Sequence, residues 1–152
     1  MKTLFLCLSL ALASAPALAK TDVCRPATTK EIAALFDRWN ASLQTGSPEK
    51  VVENYAQRSV LLPTVSNEVR VSREQKLDYF EHFLAKHPVG KIDERSMIEV
   101  DCNTALDAGL YTFKFSDGSV AHARYSYTYK WEGKRWLITS HHSSLMPEAP
   151  KQ

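Results

Sequence analysis

The chain has little cysteine, little glycine and almost no net charge, and each shortage narrows what it can be. Its 152 residues include three cysteines, Cys7, Cys24 and Cys102, none of them in a reactive motif. There is no Gly-rich phosphate loop, no His-Arg-Asp catalytic loop and no Asp-Phe-Gly, so phosphoryl transfer has no machinery here. A formal charge of +2 with no basic run argues against nucleic acid as a partner, and no basic amphipathic segment offers a calmodulin target. Internal repeats, low-complexity runs and interdomain linkers are also missing. The long apolar run is confined to Leu4–Leu12, too short to span a bilayer.

That run follows Lys2 and precedes Ala17-Leu18-Ala19, which together predict a secretory signal peptide over residues 1–19. The mature chain is then expected in the periplasm or outside the cell, with no membrane association after cleavage. Thr21-Asp22-Val23 before Cys24 is not a lipobox, so lipid anchoring is not expected. With Cys7 removed, Cys24 and Cys102 remain. An oxidising compartment favours a disulfide between them, the alternative being two buried thiols.

The most informative stretch is Val120–Ser144. Ala121, Ala123, Tyr125, Tyr127, Tyr129 and Trp131 alternate with His122, Arg124, Ser126, Thr128 and Lys130, which predicts a long strand with two distinct faces. After a turn at Glu132-Gly133-Lys134, a second strand places Trp136, Ile138, Ser140 and His142 on one face and Leu137, Thr139, His141 and Ser143 on the other. Upstream, Thr28 to Glu31 is a capping box that opens a helix with Ile32, Leu35, Phe36, Trp39 and Leu43 as one apolar stripe. Gly46 ends it, and Ser47-Pro48 starts a short second helix whose buried side is Val51, Val52 and Tyr55. A short strand covers 59–62, stopped by Pro63. Ser72 to Gln75 is a second capping box, before a helix with Leu77, Phe80, Phe83 and Leu84 inward, ended by His87-Pro88. Strands over about 91–101 and 105–115 follow, then a Ser116-Asp117-Gly118 turn. Residues 20–26 and 147–152 are expected to be disordered. This order predicts an α+β domain with helices on one face of a strongly curved antiparallel sheet, leaving a conical cavity for a small ligand.

The residues also resemble a known family. Tyr79-Phe80-Glu81 with Leu84, and the closing GKRWLITSHHSS of residues 133–144, are similar to the association domain of calcium/calmodulin-dependent protein kinase II. LLPTVSNEVR and HHSSLMPE resemble its secreted bacterial branch, the SgcJ/EcaC-like proteins. The resemblance covers nearly all of the mature chain, with residues 20–27 an N-terminal segment, 28–146 the domain and 147–152 a tail. It implies the cone-shaped fold shared by nuclear transport factor 2 and the SnoaL-like proteins, a homo-dimer or larger homo-oligomer formed through the sheet, and no kinase activity. In that family the pocket is lined by arginines that can hold carboxylates. Here Arg124 lies about two residues from the family's strand arginine, and Ser143 stands where the family has another arginine after the paired histidines.

Candidate site residues follow from both lines of reasoning. Arg124 is expected to meet either a ligand carboxylate in the cone or an internal partner such as Glu81, Glu99 or Asp101. His142, Tyr55, Tyr79, Arg70 and Ser144 complete the ligand-binding set. His141 and His142 point to opposite strand faces and cannot chelate one metal together, so no metal and no cofactor is expected. The ladder Tyr125, Tyr127, Tyr129 is either core or subunit interface, with an interface favoured for one sheet face. No catalytic residue is assigned, because no Asp or Glu stands out as a base. The resulting reading is a secreted small-molecule-binding and oligomerisation domain holding a small carboxylated or polar-aromatic molecule. The alternative is a SnoaL-like enzyme doing acid–base chemistry such as isomerisation, with His142 or an unidentified carboxylate.

Overall fold

A computed structural model describes residues 23–64 and 66–148; the signal peptide expected over 1–19 lies outside them. Among the described residues three helices precede or interrupt five strands: α1 (Thr29–Leu43), α2 (Pro48–Val52), β1 (Tyr55–Leu62), α3 (Arg73–Leu84), β2 (Val89–Asp101), β3 (Thr104–Lys114), β4 (Val120–Trp131) and β5 (Trp136–Leu145). The sheet order is β1-β5-β4-β3-β2. Neighbours from β2 to β5 are antiparallel, as expected, but β1 runs parallel to β5. None of the described helices is long and apolar enough to cross a membrane.

The caps explain where the helices start. The Thr28 hydroxyl accepts the Glu31 amide, satisfying one orphan donor of α1. The reciprocal half of that capping box is absent, because the Glu31 carboxylate instead pairs with Arg25 at 3.1 Å. Ser72 and Gln75 form the complete box at α3. The apolar stripe of α1 is buried as its spacing requires, with Ile32, Leu35, Phe36, Trp39 and Leu43 all in the core. Gly46 takes φ +67°, which turns the chain from α1 into α2.

This stripe packs on the tyrosine ladder, which settles the face that the ladder occupies. Phe36 and Trp39 both meet Tyr127 edge-on, and Ala123, Tyr125, Tyr127 and Tyr129 are all buried in one hydrophobic cluster. The ladder is therefore core and is not available as a subunit interface. Burying each such ring contributes about 2–3 kcal/mol. A buried carboxylate sits in the same layer: Asp107 accepts from the Tyr125 hydroxyl at 2.9 Å and from Arg95 Nε at 3.3 Å. Burial pushes its carboxyl above the usual range, against the pull of Tyr125 and Arg95.

The segment expected to be disordered before α1 is tied down where it is described. Cys24 and Cys102 are bonded, closing 78 residues of chain. The Arg25 amide donates to the Asn103 side chain, and the Arg25 guanidinium lies 4.9 Å from the Trp131 ring centre. A covalent bond, a hydrogen bond and a cation–π contact outweigh what little the local composition offers.

Candidate functional site

One irregularity decides which residues enter the cone. Along β4 and β5 the pairs run Trp131 with Trp136, Lys130 with Leu137 and Tyr129 with Ile138, then Thr128 with Ser140. Thr139 is the extra residue, and its hydroxyl donates back to the Thr128 carbonyl at 3.2 Å. A bulge of one residue inverts the alternation beyond it. Trp136 and Ile138 face the core before it, and His141 and Ser143 face the core after it. His142 and Ser144 are turned to the open face.

The expected pocket set is divided accordingly. His142 is exposed and Ser144 half-buried on the outer face. Arg124 is there too, donating to the Ser144 hydroxyl at 3.2 Å and, at 3.5 Å, toward the Leu145 carbonyl. Among the described residues it makes no ion pair with Glu81, Glu99 or Asp101, and it does not line the cone. Arg70 pairs with Glu68 at 3.0 Å and Asp78 at 3.1 Å, so two carboxylates already occupy its guanidinium. Tyr79 does line the cavity, and burial lifts its phenol to about 12. Tyr55 is buried behind the cavity, its hydroxyl 2.8 Å from His141 Nδ1.

The cavity itself is small, about 40 Å³, with room for about one to three waters. Trp39, Phe80, Phe83, Phe113 and Phe115 give it an aromatic wall, and Ala121 and Ala123 a flat floor. Thr64, Tyr111, His141 and Ser143 make the polar end. The Tyr111 hydroxyl donates to Ser143 Oγ at 2.5 Å, and Ser143 is hydrogen-bonded in turn to Thr64. Three hydroxyls carry three hydrogens, and two are used inside this chain. Whichever of Thr64 and Ser143 donates to the other, one hydrogen of that pair is left for a ligand.

His141 supplies a second donor. Burial, with His142 adjacent, lowers its pKa from the usual 6.5 to about 3, so the ring is neutral in ordinary buffers. The Tyr55 hydroxyl has no other acceptor among the described hydrogen bonds and donates to Nδ1, which leaves the hydrogen on Nε2. Nε2 is buried and has no partner among the described residues. The polar end therefore offers the His141 Nε2–H and one hydroxyl hydrogen in an aromatic setting. Among the described residues no three His, Cys, Asp or Glu side chains gather as a metal site.

Comparison with known proteins places this architecture. Residues 28–147 match the model of the calcium/calmodulin dependent protein kinase II association domain. The chain belongs to that family. A crystal structure from Xanthomonas campestris assigned to the same association domain is 48% identical, covers 88% of this chain and all of its own, and superposes with a TM-score of 0.77. The iota-carbonic anhydrase of a cyanobacterium, solved in complex with bicarbonate, shares the fold at 20% identity, covering 87% of this chain and 100% of its own with a TM-score of 0.73. A dehydratase-like protein of the NTF2-like family from Streptomyces avermitilis shares it at 12% identity, covering 79% and 96% with a TM-score of 0.69. No curated protein sequence matches. The α+β cone fold and the family are thus as the sequence motifs indicate.

Sequence reasoning passed over Thr64, Tyr111, His141 and Ser143 as a group. The HHSS run did mark the neighbourhood. Only the bulge at Thr139 says which of its members face inward.

Proposed function

We propose that this association domain binds carbon dioxide and bicarbonate in the cone cavity and interconverts them. The observation that carries the reading is the cavity's fit: about 40 Å³, aromatic on its walls, with the buried His141 Nε2 and a spare hydroxyl hydrogen of the Thr64–Ser143 pair at its polar end. Such a volume suits a triatomic molecule or its hydrate better than the larger carboxylates that the family's arginine-lined pocket suggests. The bicarbonate complex of the cyanobacterial iota-carbonic anhydrase, spanning that whole chain, supports the same reading.

The chemistry asked of the site is modest. Carbon dioxide rests against the aromatic wall, which does not compete with water for it. A water attacks the carbon, forming the new C–O bond while one C=O electron pair moves onto oxygen. His141 Nε2–H and the free hydroxyl of the Thr64–Ser143 pair receive that developing negative charge, as oxyanion donors do elsewhere. The water's proton leaves to buffer. Because the donors are neutral, the site stabilises one negative charge without holding a permanent positive one.

The mature chain is further proposed to act in the periplasm or outside the cell, a reading supported by the leader-like residues 1–19 and by the Cys24–Cys102 bond. The open sheet face, with Val89, Met97 and Val120 all close to half exposed, is proposed as the surface that meets a second copy. Native mass spectrometry reports that subunit count directly.

The test of function is stopped-flow hydration of carbon dioxide followed with a pH indicator, using residues 20–152. A rate well above the buffer reaction, lost in Ser143→Ala, is expected. No acceleration over buffer, together with no line broadening of ¹³C-bicarbonate, sinks the proposal. Broadening without turnover instead favours the binding and oligomerisation reading.

A further inference from the structure

Lys76 is a buried cation held without a salt bridge among the described residues. It sits in the second turn of α3 and is 2% exposed. Its ammonium donates instead to three backbone carbonyls: Ser59 at 2.9 Å, Val71 at 2.8 Å and, more weakly, Ser72 at 3.4 Å. Three N–H donors thus meet three acceptors. Burial nonetheless pushes its pKa down. A methionine would fill the same space without the desolvation cost of a charge. What methionine would not do is hold three separated carbonyls at one point.

Those carbonyls lie at the neck of a loop. The chain leaves β1 after Leu62 and returns at Arg70, and Leu61 and Arg70 exchange backbone hydrogen bonds of 2.9 Å each. Ser59 is just before that exchange, and Val71 and Ser72 just after it. Thr64, within the loop, reaches across to Ser143 at the polar end of the cavity. We propose that Lys76 is a positioning residue, closing the neck of this loop so that the Thr64 hydroxyl stays on Ser143. The inference rests on the cavity being the working site, and its test separates the two.

The test is a double-mutant cycle with Lys76→Met and Thr64→Val, read by carbon dioxide hydration and by amide exchange. Each single variant should lower kcat about tenfold, and the double variant should fall no further, because both remove the same hydroxyl from its place. Amides of residues 66–70 should exchange at least about tenfold faster in Lys76→Met, while those of α1 keep their protection. Multiplicative losses of about a hundredfold in the double variant, or unchanged exchange in the loop, overturn the proposal. So does a uniform loss of protection across the whole domain, which would make Lys76 a general stabiliser. Should Lys76→Met not fold, Lys76→Gln keeps two N–H donors on a shorter side chain and is judged by the same outcomes. If the unmodified protein shows no hydration activity, the functional reading fails and the exchange comparison alone decides the role of Lys76.

Discussion

Replacing His141 and, separately, His142 by alanine should produce effects several kcal/mol apart, although the two residues are adjacent. His141 is 4% exposed, stacked on Tyr127 at 4.1 Å between ring centres and edge-on to Trp39 at 5.4 Å. Its removal strands the buried Tyr55 hydroxyl, costing about 1–3 kcal/mol. Loss of the packed ring costs about 1–2 kcal/mol more. His141→Ala should therefore lose roughly 3 kcal/mol and about 10 °C in Tm. His142 is on the open face, and His142→Ala should stay within about 0.5 kcal/mol. Urea unfolding with unchanged slope measures both.

A pH series sharpens the comparison. The folded His141 ring protonates near pH 3, whereas the unfolded one does so near 6.5. Between those values the unfolded chain binds a proton that the folded chain refuses, so stability falls as pH falls, by about 1.4 kcal/mol per unit. His141→Gln should lose that slope. The raised carboxyl of Asp107 acts in the opposite sense, favouring the folded state as it protonates, and it is present in both proteins. Equal effects of the two alanine variants, or a slope that survives in His141→Gln, would refute the inversion at Thr139.

Three further outcomes are expected. Reducing the Cys24–Cys102 bond, which closes 78 residues, should cost about 4.5 kcal/mol in the chain-entropy model, and Cys102→Ser should match it; a Tm change under about 3 °C in thermal unfolding contradicts the bond's role. Gly109→Ala should destabilise by about 2 kcal/mol or more in urea, because the new Cβ would overlap the Glu94 carbonyl where β2 bulges against β3; a change below about 0.5 kcal/mol would mean that the two strands are not paired as described. Arg124→Ala should leave both stability and cavity chemistry unchanged within about 0.5 kcal/mol, and a loss of ¹³C-bicarbonate binding would return the guanidinium to the pocket.

Much of the fold was legible because each element carries a local signal. The stripe Ile32, Leu35, Phe36, Trp39 and Leu43 names its own buried face, since a helix places those positions on one side whatever it packs against. The Ser72–Gln75 box names the start of α3 in the same way. The ladder from Ala121 to Tyr129 shows an alternating strand, but alternation cannot say whether helices or a second copy cover a face. That depended on where α1 came to rest, with Phe36 and Trp39 on Tyr127.

The site was less legible, for a reason specific to strands. Side-chain parity accumulates along a strand, so one inserted residue reverses every assignment beyond it. Composition around Thr139 gives no sign of an insertion; it exists because Ile138 must stay opposite Tyr129 while Ser140 pairs with Thr128. The sequence by itself determined the helices, their caps, the aromatic core and the family. Only the tertiary structure decided that His141 faces inward instead of His142, that Ser143 meets Thr64 from a loop 79 positions away, and that Lys76 closes that loop's neck. Local periodicity is carried by neighbours in the chain, whereas these three outcomes are set by pairing between segments that meet only when the sheet has closed.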